Sequence, residues 1–230
     1  MTDIEHNIAL ITKSIGRRSA YHFTRASNLQ SIVRFDAIWS SHHLLPESAG
    51  ERRAAREEVT YNGATVTVNA HLRIPEAVME PGCTVEEFRA FIDRHVFLWP
   101  TRRDCLKMLT TYMKREPAEP FAVLELDASA LLREHQQSVR FSKYDSGSSP
   151  RFPHNCGYKK SPDMFVSLAD FGHRTDHAVP TKPSEIKEIL IEDQAQSITR
   201  LLRNVYTQDP GYVPGKWLNH YQPLDVLLES

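Results

Sequence analysis

The chain has 230 residues, of which 40% are hydrophobic and 25% are charged, and its net charge is −1. This composition excludes an intrinsically disordered chain and a generally basic nucleic-acid coat, so any contact with a polyanion must come from a local patch. The sequence has no signal-peptide pattern and no apolar run near the roughly 18 residues of a membrane span, and three cysteines are too few for a disulfide framework. We therefore expect a cytoplasmic globular protein with no membrane partner.

Short helices and strands are interspersed along the chain without a regular strand–helix–strand rhythm. In chain order the predicted elements are helix 3–16, strand 20–24, helix 27–35, strand 37–40, hairpin 59–68, helix 85–94, strand 96–99, helix 101–114, strand 121–126, helix 128–134, strand 186–191 and helix 194–205. This pattern favours an α+β fold over a doubly wound parallel sheet. We expect a single domain over residues 1–230, with an N-terminal helix in 1–18 and an irregular packed tail over 206–230.

Turn and capping residues support several of these boundaries. The dipeptide Asn62-Gly63 lies between two β-branched runs, which is the strongest short-range signal for a β-hairpin. Ser27 is a candidate N-cap, and Thr84 begins a capping box. Residues 142–163, rich in Ser, Pro, Gly and Lys, predict a long loop, and loops of this length in compact domains are usually functional or mobile.

Common nucleotide and metal motifs are sparse in this sequence. Glycine-rich dinucleotide and P-loop motifs are absent and only nine glycines are present, so a phosphate group would be held by side chains or by a helix N-terminus. One spacing has the ligand types of a zinc site, namely His154-x-Cys156 followed by His173-x3-His177. The alternative, which we favour, is that these four residues are ordinary side chains of exposed loops.

A His-x-Thr pair lies at the end of the first predicted strand. Because side chains alternate along a strand, His22 and Thr24 share one face, and the helix that follows directs its free N–H groups to the same place. This combination suits a ribose hydroxyl, an amide and a phosphate. The alternative is a buried histidine bonded to a backbone carbonyl, with Thr24 as an ordinary strand residue.

The order of several short motifs resembles a known enzyme family. The opening motifs are Tyr21-His22-Phe23-Thr24, Asn28-Leu29-x-x-Ile32 and Ile38-Trp39-Ser40. They resemble the opening of the DarT-type ADP-ribosyltransferase toxins, and of an uncharacterised bacterial family close to them. The later features follow in the same order: an arginine in a charged stretch, an aromatic strand ending in proline (Val96-Phe97-Leu98-Trp99-Pro100) and the strand Lys187-Glu188-Ile189-Leu190-Ile191.

The resemblance covers about residues 20–205 and implies a fold. That fold is ADP-ribosyltransferase-like, with two packed, short, mostly antiparallel sheets and flanking helices around an NAD cleft. The toxins follow their aromatic strand with Pro-Arg-Ser-Pro-Met, whereas this chain has Pro-Thr-Arg-Arg-Asp. The resemblance therefore does not identify the acceptor, which is DNA in the toxins.

The resemblance also implies roles for individual residues. The side chains that would hold NAD, as a substrate, are His22, Phe23, Thr24, Asn28, Ser40, Arg53 and Phe97. Glu188 would be the catalytic carboxylate, bonding the ribose 2′-hydroxyl and orienting or deprotonating the acceptor. Arg56 is the preferred catalytic arginine, with Arg52 and Arg53 as alternatives, and the other interpretation of this stretch is a solvated charge run.

The alternation of residues 186–191 singles out Glu188 as a candidate functional residue without any use of the resemblance. If the strand places Glu188 on the same face as Ile186 and Leu190, an acid lies on an otherwise apolar face, which is rare unless the acid is paired or functional. The alternative is that the strand faces the other way, with Glu188 in water beside Glu192.

These observations predict a mono-ADP-ribosyltransferase that uses NAD, without a metal, to modify a macromolecular acceptor, either a nucleic-acid base or a protein. The alternatives are an NAD glycohydrolase, or an inactive nucleotide- or nucleic-acid-binding module of the same fold. The resemblance implies an antitoxin or an ADP-ribosyl hydrolase as a further partner.

Basic residues with aromatic residues among them could form a track that binds phosphates and stacks bases. The alternative is a solvated helix face and a mobile loop. The residues are Arg102, Arg103, Lys107, Arg151, Lys159, Lys160, Tyr144, Phe152 and Tyr158.

Overall fold

A computed structural model describes residues 3–229. The strands in this range are β1 (Ser19–Arg25), β2 (Ala37–Trp39), β3 (Glu57–Tyr61), β4 (Ala64–Val68), β5 (His95–Leu98), β6 (Phe121–Asp127), β7 (Val139–Ser142), β8 (Phe165–Ser167), β9 (Glu188–Glu192), β10 (Gln194–Gln196), β11 (Leu202–Thr207) and β12 (Tyr221–Pro223). The α-helices are α1 (Asp3–Ile11), α2 (Leu29–Phe35), α3 (Ser41–Leu44), α4 (Val85–Asp93), α5 (Arg102–Arg115), α6 (Ala128–Glu134), α7 (Ile198–Leu201) and α8 (Leu224–Glu229). Across residues 3–229, no helix combines the length and apolar character that a membrane crossing requires.

Two four-stranded sheets form the centre of the fold. The first has the order β1-β6-β11-β12, with antiparallel pairing except between β11 and β12. The second has the order β5-β9-β7-β8 and is antiparallel throughout. Two further antiparallel pairs, β2 with β10 and β3 with β4, lie outside these sheets. The predicted α+β class, with short and mostly antiparallel sheets and flanking helices, is confirmed.

The two sheets meet where β1 passes the end of β5. Tyr21 and Trp99 exchange backbone hydrogen bonds of 2.9 and 2.8 Å, which links the sheets at one point. One large apolar cluster contains buried residues from both sheets, such as Leu124 of β6 and Ile189 of β9. The sheets therefore share a core, and the backbone link holds β1 beside the end of β5.

Local signals predicted several elements correctly. Asn62 and Gly63 both have positive φ, at 47° and 73°, as the tight turn between β3 and β4 requires. Thr84 forms the predicted capping box with Glu87 at the start of α4. Residues 143–164 form the predicted long loop, with two short 3₁₀ turns in it.

The first two predicted helices begin or end elsewhere. The helix predicted over 3–16 ends at Ile11, because Ser14 is extended and turns the chain toward β1, which leaves Ile15 82% exposed. The helix predicted over 27–35 begins at Leu29 after a 3₁₀ turn, and Ser27 is exposed and makes no capping bond.

The helix predicted over 194–205 is wrong. Residues 194–196 pair with β2, Ser197 takes a left-handed conformation with φ 59°, and only Ile198–Leu201 are helical before the chain continues as β11. The reason is tertiary, because β11 supplies the hydrogen-bond partner for the open edge of β6. The irregular tail predicted over 206–230 is wrong in part, since β12 and α8 lie within it. Met1, Thr2 and Ser230, at the ends of the predicted terminal segments, are outside the described residues.

Candidate active site

A cavity of about 210 Å³ lies beside the backbone link between the two sheets. Its wall brings together five of the predicted site residues, although they are far apart in sequence: His22, Phe23, Arg53, Phe97 and Glu188. A ligand in this cavity could therefore contact all five of these residues.

His22 is held by the neighbouring sheet. Its Nδ1 lies 2.8 Å from the carbonyl oxygen of Phe97, and since a carbonyl only accepts, Nδ1 carries the proton and Nε2 is an acceptor. Burial lowers the pKa of His22 from 6.5 to about 4, so the ring is neutral near pH 7. One ring nitrogen of His22 therefore bonds to a backbone carbonyl, as the predicted alternative requires. The ring nevertheless lies on the cavity wall.

Glu188 begins β9 and is 2% exposed, so its side chain points inward and Glu192 is the exposed acid of this strand. The Ser146 N–H lies 3.2 and 3.1 Å from the two carboxyl oxygens, and the Ser142 hydroxyl lies 2.8 Å from Oε2. Burial, with a smaller contribution from Asp145, raises the pKa of Glu188 from 4.5 to about 7. The interpretation in which Glu188 faces water is wrong.

The Ser142 hydroxyl gives a geometric reason for a protonated Glu188. Ser142 has one hydroxyl proton but lies 2.8 Å both from the Tyr144 carbonyl oxygen and from Glu188 Oε2. Because the carbonyl only accepts, both contacts are hydrogen bonds when Glu188 carries the proton and donates it to Ser142. Glu188 therefore has the environment of a group that exchanges a proton near neutral pH.

Lys160 holds the loop that contacts Glu188. Its side chain is fully buried, and Nζ donates to the carbonyl oxygens of Asp145, Ser146 and Ser148 at 2.6 to 2.7 Å. A phosphate-binding track was one of two interpretations that the sequence left open for Lys160, and it does not hold for this residue, because the loop uses all three donors of its ammonium. The Ser146 N–H that contacts Glu188 is thus fixed by a buried cation.

Thr24 and Asn28 are brought together, but beside a smaller cavity of about 130 Å³ that His22 also lines. The Asn28 amide donates to Thr24 Oγ1 at 3.1 Å and to the Thr67 carbonyl at 2.9 Å, and it accepts from the Thr67 N–H at 2.8 Å. These bonds tie β4 to the end of β1. The geometry therefore favours a positioning role for Asn28 over direct contact with a ligand.

Two further predicted residues mainly support the structure around the cavity. Phe23 packs against Trp99 and Tyr112, with its ring centroid 5.5 and 5.1 Å from theirs, and it also lines the cavity. The Ser40 side chain is buried and accepts from the His43 N–H as the N-cap of α3. It is the next residue, Ser41, that lines the cavity.

The charged stretch contributes Arg53 to the cavity. Arg53 is buried, donates through Nε to the Asn69 carbonyl at 2.7 Å, and lies 3.8 Å from Asp93 Oδ1. Burial lowers the pKa of the Arg53 guanidinium, and Asp93 opposes that shift. Arg52 is exposed, while Arg56 is half-exposed, pairs with Glu116 and Glu119, and is not among the lining residues. The geometry favours Arg53 over the predicted Arg56.

A polar network next to Arg53 contains residues that the sequence did not predict. The backbone N–H of Arg53 donates to His71 Nδ1 at 2.9 Å, so the ring proton of His71 is on Nε2. This Nε2–H donates to Asp93 at 2.8 Å. The Ser41 hydroxyl donates to the same Asp93 oxygen at 2.8 Å. Arg89 of α4 also lines this side of the cavity.

A pattern in α4 could have revealed two of these residues. Arg89 and Asp93 follow Val85 at intervals of four, which places both charges on the buried face of the helix.

Comparison with protein families gives one assignment. A model described as "Family of unknown function (DUF7002)" matches residues 18–202, which run from the start of β1 into β11. The chain belongs to this family. Comparison with curated proteins gave no match.

This DUF7002 chain is also similar to three solved structures of DarT from Thermus sp. 2.9. The structures are those in complex with NAD+ (12% identity, 90% of this chain and 93% of that chain), with carba-NAD+ (12%, 91% and 95%) and with ADP-ribosylated ssDNA (11%, 90% and 92%). The TM-score is 0.43 in each case.

The remaining groups that the sequence singled out in this DUF7002 chain do not line the cavity. Residues 3–229 contain no group of three or more His, Cys, Asp or Glu side chains placed to hold a metal ion, so the four residues of the zinc-like spacing do not form such a group. Tyr144 and Tyr158 stack on each other, with centroids 3.9 Å apart at 5°. The ring faces that they turn toward each other are therefore covered.

Proposed function

We propose that this protein transfers ADP-ribose from NAD to a macromolecular acceptor. The observation that carries the proposal is Glu188, a buried carboxyl with a pKa of about 7 on the wall of a cavity that it shares with His22 and Phe97. These are the residue types that cleavage of the nicotinamide–ribose bond needs: an acid near the anomeric carbon, a hydrogen-bonding group for the ribose, and an aromatic ring.

Each residue has a definite part in the proposed reaction. The neutral His22 ring accepts a hydrogen bond from a ribose hydroxyl at Nε2, and Phe97 lies against the nicotinamide ring. The bond between nicotinamide and the anomeric carbon breaks, nicotinamide leaves with the bonding electrons, and positive charge develops on the ribose. Glu188, when ionised, stabilises that charge through the 2′-hydroxyl and takes the proton that the acceptor loses as its new bond forms.

A second opening supports access for an acceptor. An open cleft of about 500 Å³ reaches Glu188 along a different set of residues, including Lys143, Tyr144 and Lys187. NAD in the cavity and an acceptor in this cleft would approach Glu188 from different sides. We extend the proposal to a nucleic-acid base or a protein side chain as acceptor, and to an antitoxin or ADP-ribosyl hydrolase that opposes the transfer.

The test is label transfer from NAD carrying a radioactive phosphate, with protein, RNA and single-stranded DNA offered separately. We expect label on one acceptor class with the wild type and with Glu192→Gln, and at least 100-fold less with Glu188→Gln. Glu192 is the matched control because it is the exposed acid of the same strand. Nicotinamide release without labelled acceptor would replace the proposal with NAD glycohydrolase activity, and equal transfer by Glu188→Gln would refute it.

A further inference from the structure

Among the residues that the structure describes, the cavity wall contains two buried arginines and one acid within ion-pair distance of either. Arg53 lies 3.8 Å from Asp93, whose carboxylate also accepts bonds from Ser41 and His71. Arg89 is 5% exposed, and within residues 3–229 its guanidinium makes one hydrogen bond, from Nη1 to the Gly50 carbonyl at 2.6 Å, and no ion pair. Among the described residues, the buried Arg89 guanidinium therefore has no carboxylate within ion-pair distance.

Arg25 is a buried arginine of the same protein whose charge is paired, and it serves as a comparison for Arg89. Arg25 is 1% exposed, forms ion pairs with Glu116 and Glu119 at 2.8 and 2.9 Å, and donates from Nε to Asn69 at 3.0 Å. Buried charges are ordinarily paired in this way, because an unpaired ion is costly to remove from water. Arg89 differs in that its remaining donors, Nε and Nη2, are left for a group that enters the cavity.

The position of Arg89 separates it from the proposed reacting atoms. β5 begins at His95, just after α4, and ends at Leu98, which pairs with Ile189 next to Glu188. Three residues of antiparallel strand span about 10 Å. An anionic group near Arg89 would thus lie away from Glu188, as the phosphates of an extended dinucleotide lie away from its reacting ribose.

We propose that Arg89 binds a phosphate oxygen of the substrate diphosphate, with Arg53 as the neighbouring cation. This inference rests on the proposed function for the identity of the substrate. A guanidinium is suited to this task because its planar donors match two phosphate oxygens at once. The site is built from side chains, in agreement with the absence of a glycine-rich phosphate loop from the sequence.

Titration calorimetry with inorganic pyrophosphate tests the anion site itself. We expect the wild type and Arg94→Gln to bind pyrophosphate equally, Arg89→Gln to bind it 10- to 100-fold more weakly, and Arg89→Lys to lie between them. Arg94 is the matched control because it is an exposed arginine at the end of the same helix. Absence of pyrophosphate binding by the wild type, or equal binding by Arg89→Gln, would overturn the inference.

Two further measurements separate folding and function from the anion site. The melting temperature without ligand shows whether Arg89→Gln is folded, and Arg89→Lys provides the test if it is not. Nicotinamide release from NAD is expected to show a 10- to 100-fold higher KM for the Arg89 variant than for the Arg94 variant. Turnover of NAD that does not depend on Arg89 would overturn the inference and leave the proposed function intact. Pyrophosphate binding that depends on Arg89, in a protein that never cleaves NAD, would support the anion site and refute the proposed function.

Discussion

Replacing Glu188 by Gln should change how the stability of the protein depends on pH. The substitution keeps the shape of the side chain but removes its ionisation. In the folded protein the pKa of Glu188 is raised from 4.5 to about 7 by burial, so the folded state holds this proton over a pH range in which the unfolded state has lost it. Wild-type stability should therefore fall, through this group, as the pH rises from 4.5 to 7.

The size of the effect follows from the same pKa difference. One pKa unit corresponds to 1.36 kcal/mol, so the buried carboxylate should cost the folded state about 3 kcal/mol above pH 7 and nothing well below pH 4.5. Most of this change lies between pH 5 and pH 8. Relative to the wild type, Glu188→Gln should gain about 2–3 kcal/mol of unfolding free energy between these two pH values.

Urea unfolding at pH 5, 6, 7 and 8 measures this gain directly, provided that the urea dependence of the unfolding free energy is the same for both proteins. The control is Glu192→Gln, which removes an exposed acid from the same strand and should leave the pH dependence nearly unchanged. A difference between Glu188→Gln and the wild type that stays constant from pH 5 to pH 8 would refute the raised pKa, and with it the proton-exchanging role of Glu188.

Three other substitutions test neighbouring parts of the structure. His22→Ala should raise the KM for NAD about 3- to 10-fold, and the increase should be the same at pH 5.5 and at pH 8, since the ring stays neutral down to about pH 4. An increase in KM that differs between these two pH values would contradict a neutral ring. Lys160→Met should lower the unfolding free energy by about 3 kcal/mol, because three carbonyls lose a charged donor, and an unchanged urea midpoint would argue against this anchor. Arg56→Gln should cost less than about 1 kcal/mol and leave NAD turnover as it is, because its ion pairs are at the surface; a tenfold loss of turnover would favour Arg56 over Arg53 as the functional arginine.

The sequence predicted best what depends on near neighbours. The turn at Asn62-Gly63 and the capping box at Thr84 need only a few adjacent residues, and both are present. The helix predicted over 194–205 is wrong because the conformation of this segment depends on strands more than 60 residues away in sequence. Local helical spacing contains no information about such an edge.

In the candidate site, too, residues in local patterns could be predicted from the sequence, and contacts between distant segments could not. His22 and Glu188 could be predicted because each is a polar residue in a short strand pattern, and the cavity contains both. The bonds from His71 and Ser41 to Asp93 join three separate segments, and no local pattern predicts them. A position within a charged run does not reveal which side chain is buried, so the sequence could not distinguish the buried Arg53 from the half-exposed Arg56.

The release of nicotinamide from NAD by purified wild-type protein, Glu188→Gln and Glu192→Gln tests the central claim most directly. All three proteins would be assayed at pH 8, where Glu188 of the wild type is mostly ionised, and each would first be shown to be folded. We expect the wild type and Glu192→Gln to release nicotinamide at similar rates, and Glu188→Gln to release it at least 100-fold more slowly. Equal release by all three proteins, or no release by the wild type with any acceptor class present, would contradict the account.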